Sequence, residues 1–174
     1  MGFEYGRILR VDLTGRTVRK EALGSEAARK FIGGSGAAAW LLSRLVSGDT
    51  DPLGPDNPLI YAVGPLCGTT APTSGRHEVA SLSPLTGLFA ESDVGGAWGS
   101  ALRATGWDIL ILEGRAETPV YVVVGEEGAS IHDAGHLWGM DTFAVAGYFE
   151  AKIPGSETSC IGPAGEKLVR IAAI

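Results

Sequence analysis

The chain has 174 residues, a formal net charge of −6, 45% hydrophobic and 20% charged residues, and 26 glycines. The length suits one domain, residues 1–174, with a real core, and the acidity excludes a general nucleic-acid surface, which needs a basic footprint. Two distant cysteines, Cys67 and Cys160, make neither a disulfide framework nor a zinc or iron–sulfur site, and no apolar run approaches the ~18 residues of a membrane span.

The N-terminal "MGFEYGRILRVDL" carries charges throughout and does not read as a leader peptide; Gly6 stands where a myristoylation signal needs Ser or Thr. A soluble, cytoplasmic protein is the expectation. Ile8, Arg10 and Asp12 alternate with Leu9, Val11 and Leu13, a Thr14-Gly15 turn follows, and Thr17 to Arg19 return: a hairpin. Ser25 reads as the N-cap of a helix ended by Gly33-Gly34, and Ser35 as a cap for "SGAAAWLLSRLV". "LIYAVG" and "WDILILEG" are continuous apolar runs of strand length, expected to be buried on both faces. Residues 75–106 between them lack a period through their middle and read as a long loop, ending in a helical pattern at "AWGSALRATG".

"PVYVVVGEEGASIHDA" reads as a second hairpin about Glu127-Gly128, and Asp141 or Thr142 as the cap of "TFAVAGYFEAKI". "TSCIGPAGEKLVRIAAI" reads as strand, turn, strand. Its apolar end suggests a chain that continues or pairs with another. Glycine pairs before two helices and Gly-Pro after two strands echo one another, suggesting a two-part α+β domain with mixed sheets.

Catalytic signatures are few. His132 and His136 stand i, i+4, but Gly135 argues against a helix, so surface or turn histidines are expected. There is no GxSxG, HExxH or phosphate-binding Walker loop. "GGSGAAAW" lacks dinucleotide-loop spacing and follows a predicted helix.

Arg76 is more informative. A guanidinium among small residues needs an anion, and two readings stay open: a salt bridge to Glu78, Glu91 or Asp93, or a phosphate held by its fork. Gly95-Gly96, just before a helical pattern, expose backbone N–H groups that also favour an anion. Arg103 inside that pattern reads as a solvated charge.

"GRILRVDLTG", "KFIGGSG", "DPLGPDNPLIYAVGPLCGTTAPTSGR", "SPLTGLFAESDVGGAWGSALRATGWDILILEGRAETPVY", "HDAGHLWGMDT" and "CIGPAGEKLVRIAAI", in this order, resemble the N-terminal domain of the aldehyde ferredoxin oxidoreductases. The resemblance runs from Gly6 to Ile174. It implies an internally duplicated α+β domain of two related mixed β-sheets with a few helices. Such a domain forms a base under tungsten or molybdenum held by two pterins. In that family an aldehyde is oxidised to a carboxylic acid, and electrons leave through a [4Fe-4S] cluster to ferredoxin. By motif match Arg76 contacts a pterin phosphate, the Asp93 backbone carbonyl holds a magnesium ion between the pterin phosphates, and Gly95 and Gly96 lie against the cofactor.

Two positions depart from the family pattern. "DVGG" replaces the usual "NSGG", placing a carboxylate at Asp93, and Leu82 stands where a basic residue is common. The family's cluster cysteines lie in later helical domains, and this chain carries no fourfold cysteine set, so by itself it is expected to be inactive. Those helical domains are its expected partners. The alternative is a non-catalytic assembly or binding module.

Overall fold

Strand alternation at the N-terminus folds as expected. In the computed structural model, which describes residues 5–174, β1 (Arg7–Asp12) pairs antiparallel with β2 (Thr17–Ala22), Val11 opposite Val18. Residues 1–4, part of the stretch read above for leader and lipid signals, lie outside the described residues. Asp12 Oδ1 ties the turn by accepting from Thr14 N at 2.9 Å and Gly15 N at 3.0 Å, the local bonding that makes Asp a turn residue.

Two helices follow, α1 (Ser25–Phe31) and α2 (Gly34–Leu45). Ser25 and Ser35 lie inside them rather than at their caps; Gly24 and Gly33 hold the cap positions, without side-chain bonds. At Gly33 the reason is close packing: a Cβ there would stand 2.7 Å from Tyr5 Oη.

The remaining elements are β3 (Leu59–Val63), β4 (His77–Leu82), β5 (Phe89–Val94), α3 (Trp98–Ala104), β6 (Ile109–Glu113), β7 (Val120–Gly125), β8 (Gly128–Asp133), α4 (Thr142–Lys152) and α5 (Pro163–Glu166). Six strands form one sheet in the order β2-β1-β6-β3-β4-β5, with β1 and β6 parallel and the other neighbours antiparallel.

The central strands are covered on both faces, which explains their unbroken apolar runs. Ile8, Ile60, Ile109 and Ile111 pack with Leu41 and Leu42 of α2. On the other face Leu9, Val11, Tyr61, Val63 and Leu110 meet Leu102 of α3, Trp107, and Val122 and Ile131 of the β7–β8 hairpin. Each fully buried Leu or Ile stabilises the fold by about 1.5–3 kcal/mol. A third cluster joins Ala134 and Leu137 to Val145 and Phe149 of α4. Asp141 caps that helix, its Oδ1 accepting from Ala144 N at 2.8 Å.

The α+β class holds, and the two sheets are unequal. The smaller is the β7–β8 hairpin alone, purely antiparallel, and only the larger is mixed. Its turn is Glu126-Glu127, one residue earlier than expected, because Gly125 and Gly128 form the last pair.

Two other readings need correction. Residues 75–106 are mostly regular: β4 and β5 form a hairpin, and α3 follows. β5 is an edge strand whose side chains are largely exposed, so polar residues serve there and the apolar alternation is missing. At the C-terminus, Pro163 enters the first turn of a short helix, and residues 167–174 form no strand. A strand needs a neighbour to bond, and among the described residues none pairs with this segment, leaving Leu168, Ile171 and Ile174 exposed.

Candidate functional site

The β4–β5 register brings the predicted residues together. His77 lies opposite Val94 and Glu78 opposite Asp93, so Arg76, just before β4, reaches the end of β5. Arg76 Nη1 donates to Asp93 Oδ2 at 2.8 Å and to the Asp93 carbonyl oxygen at 3.2 Å. Of the three carboxylates open to Arg76 in the sequence, the structure selects Asp93. Both side chains stay more than half exposed, at 63% and 52%. Such a pair contributes only about 0.2–1 kcal/mol, leaving the guanidinium available to a stronger anion.

Gly95 and Gly96 follow directly and are exposed; a Cβ on either would meet nothing within 4 Å. Gly96 has φ +87°, which other residues adopt with strain. Gly75 closes the patch, since a Cβ there would lie 3.9 Å from the Gly96 carbonyl oxygen. The result is a bare backbone surface beside Arg76, open to a large group. α3 has only seven residues, so attraction of an anion rests on Arg76 and the bare glycine backbone rather than on the helix.

Charge at the patch is not simply positive. Arg76, Glu78, Glu91 and Asp93 share one sheet face by strand alternation and register. The Glu78 carboxyl is pushed above its usual range, first by burial and then by Asp93 and Glu91, and its Oε2 is buried without a hydrogen-bond partner. One guanidinium faces three carboxylates. A phosphate bound here is favoured by a cation beside it, which offsets the carboxylates. These residues therefore fit a phosphate-bearing cofactor that brings a divalent ion, and among the described residues no cluster of three or more His, Cys, Asp or Glu forms a metal cage of its own.

His77 lies on the opposite face and is 3% exposed. Its ring lies 4.8 Å from Trp98 and 6.2 Å from Tyr61, which themselves meet at 4.5 Å, and its Nδ1 has no hydrogen-bond partner. Burial lowers its pKa, with Asp93 opposing. Its place in "HEVASL" alternates with Glu78 and could have been found once that segment was read as a strand. His132 and His136 are exposed and do not meet; they bond Ser130 Oγ and Tyr148 Oη. Arg103 is also corrected: it donates to Asp108, which is fully buried. Cys67 is a buried free thiol and Cys160 a partly buried one. No helix among the described residues is long and apolar enough to cross a membrane.

Residues 8–174 match the family model for the aldehyde ferredoxin oxidoreductase N-terminal domain. The tungsten-containing aldehyde ferredoxin oxidoreductase of Thermococcus kodakarensis is 42% identical over 172 residues, covering 98% of this chain and 28% of the relative. That of Pyrococcus furiosus is 42% identical over 173 residues with the same coverage. A second Pyrococcus furiosus protein, named as an aliphatic sulfonate oxidoreductase, WOR-like subunit, is 33% identical over 138 residues, 78% of this chain and 22% of its own length. Among solved structures, a chain of the active-site complex BamBC of benzoyl coenzyme A reductase, in complex with 1,5-dienoyl-CoA, superposes with a TM-score of 0.90 and 34% identity. The superposition covers 94% of this chain and 25% of that one. The chain belongs to the aldehyde ferredoxin oxidoreductase family, a family of oxidoreductases, and carries its N-terminal domain. It spans about a quarter of the length of these relatives.

Proposed function

We propose that residues 1–174 form one domain that serves as the base for a tungsten- or molybdenum-pterin cofactor in an aldehyde ferredoxin oxidoreductase-type enzyme. The observation that carries the reading is the single exposed patch joining Arg76, Asp93 and the bare Gly95-Gly96 backbone. Arg76 holds a pterin phosphate through its fork, Asp93 supports a magnesium ion beside that phosphate, and Gly95 and Gly96 let the cofactor lie against the backbone. When bound, the metal-pterin group supplies two-electron redox chemistry, in this reading the oxidation of an aldehyde to a carboxylic acid.

In this reading the residues of this chain bind and orient the cofactor. The [4Fe-4S] cluster, the route to ferredoxin and the shape of the aldehyde pocket belong to helical domains outside these residues, and the cytoplasm is the expected setting. The named activities of the relatives differ, which supports a base indifferent to the substrate, with specificity set elsewhere.

Co-expression with those domains, followed by metal analysis and a viologen-linked aldehyde assay, tests the reading. Stoichiometric tungsten or molybdenum that falls sharply in Arg76→Ala supports it. Full metal content in that variant removes Arg76 from the site. The 174-residue chain alone is expected to hold metal weakly and to show no aldehyde oxidation.

A further inference from the structure

The contact between Arg76 and Asp93 engages both partners at once. The same Nη1 bonds the Asp93 carboxylate at 2.8 Å and the Asp93 carbonyl at 3.2 Å. In the reading above, Arg76 is needed by a phosphate and Asp93 by a cation. Each ligand therefore competes with the pair, and once one has drawn it apart the other meets a partner with one competitor fewer. Charge adds to this. Glu78 stands opposite Asp93 in register and Glu91 two residues before it, so a phosphate approaching without a cation meets three carboxylates.

We propose that Arg76 and Asp93 form an electrostatic latch that makes phosphate and a divalent cation bind cooperatively at this site. The proposal rests on the assignment of Arg76 to phosphate given above. Asp93 is its distinctive part: an asparagine keeps the carbonyl but lacks the charge that holds Arg76 closed. Because coupling between two ligands is reciprocal, magnesium tightens phosphate by the same factor that phosphate tightens magnesium. The pair is exposed, so having to open it weakens phosphate binding to the parent chain by only about two- to fivefold.

The test titrates inorganic phosphate into the 174-residue chain with and without magnesium, following the Arg76 side-chain and the Gly95 and Gly96 amide NMR signals. In magnesium-free buffer Asp93→Asn is expected to bind phosphate about two- to fivefold tighter than the parent chain. Magnesium then adds less in the variant, which also controls for direct pairing of magnesium with phosphate in solution. If Arg76→Ala abolishes phosphate binding while Asp93→Asn binds like the parent, the latch is wrong and the phosphate assignment stands. If Arg76→Ala binds phosphate unchanged, the assignment itself falls, and the latch with it.

Discussion

Arg103 in α3 donates to Asp108, a carboxylate with 0% exposure at the entry to β6. The second Asp108 oxygen accepts from Gly6 N at 2.6 Å and Arg7 N at 2.9 Å, so one side chain joins α3, β6 and the start of β1. A buried carboxylate is tolerated only with such partners. Asp108→Ala leaves two backbone donors and a guanidinium without it, and Arg103→Ala leaves the carboxylate short of its cation. Each is expected to lower unfolding free energy by about 3–5 kcal/mol in urea titration.

The pH dependence of stability follows from His77. Burial holds its pKa below the ordinary value of 6.5, so in acid the unfolded chain binds the extra proton first. Stability is complete above 6.5 and falls as pH drops from there toward the folded pKa. His77→Phe keeps an aromatic ring against Trp98 and Tyr61 and removes the titration. Urea midpoints measured across this range should slope in the parent chain and flatten in the variant.

The two thiols should separate by rate. Cys67, at 1% exposure, is expected to resist iodoacetamide until the chain unfolds. Cys160 is reachable, but burial pushes its thiol above the ordinary 9.0, leaving little thiolate at neutral pH. Mass spectrometry of the labelled native chain should show slow modification at Cys160 alone, still accelerating past pH 9.

Function and stability should part company at the proposed cofactor patch. Arg76→Ala removes an exposed ion pair and is expected to change unfolding free energy by less than about 1 kcal/mol. In the enzyme assembled with its helical domains, the same change should deplete the metal. Asp93→Asn in that enzyme should retain the cofactor as well as the parent or better; a marked loss would make the carboxylate itself the cation ligand.

Much of the architecture could be read from pattern. The β1–β2 hairpin, the buried β3 and β6 runs, the β7–β8 hairpin and the Asp141 cap each rest on local chemistry that neighbouring residues declare: alternation, continuous apolarity, turn residues and a side-chain oxygen placed to bond an N–H. Edges and ends were less legible. Among the described residues β5 pairs only with β4, so its side chains carry no burial signal, and the apolar C-terminal residues resemble a strand without a neighbour to bond.

The candidate site divides in the same way. From sequence came Arg76, Asp93, Gly95 and Gly96 as the residues of interest, together with the family that residues 8–174 match. Which carboxylate meets Arg76 depended on strand register, since Glu78, Glu91 and Asp93 are equivalent as residue types and differ only in where the β4–β5 pairing sets them. Burial of His77 and the pairing of Arg103 with Asp108 were likewise decided by packing. Local chemistry names the residues able to hold a charge; only the folded chain determines which charges stand within reach of one another.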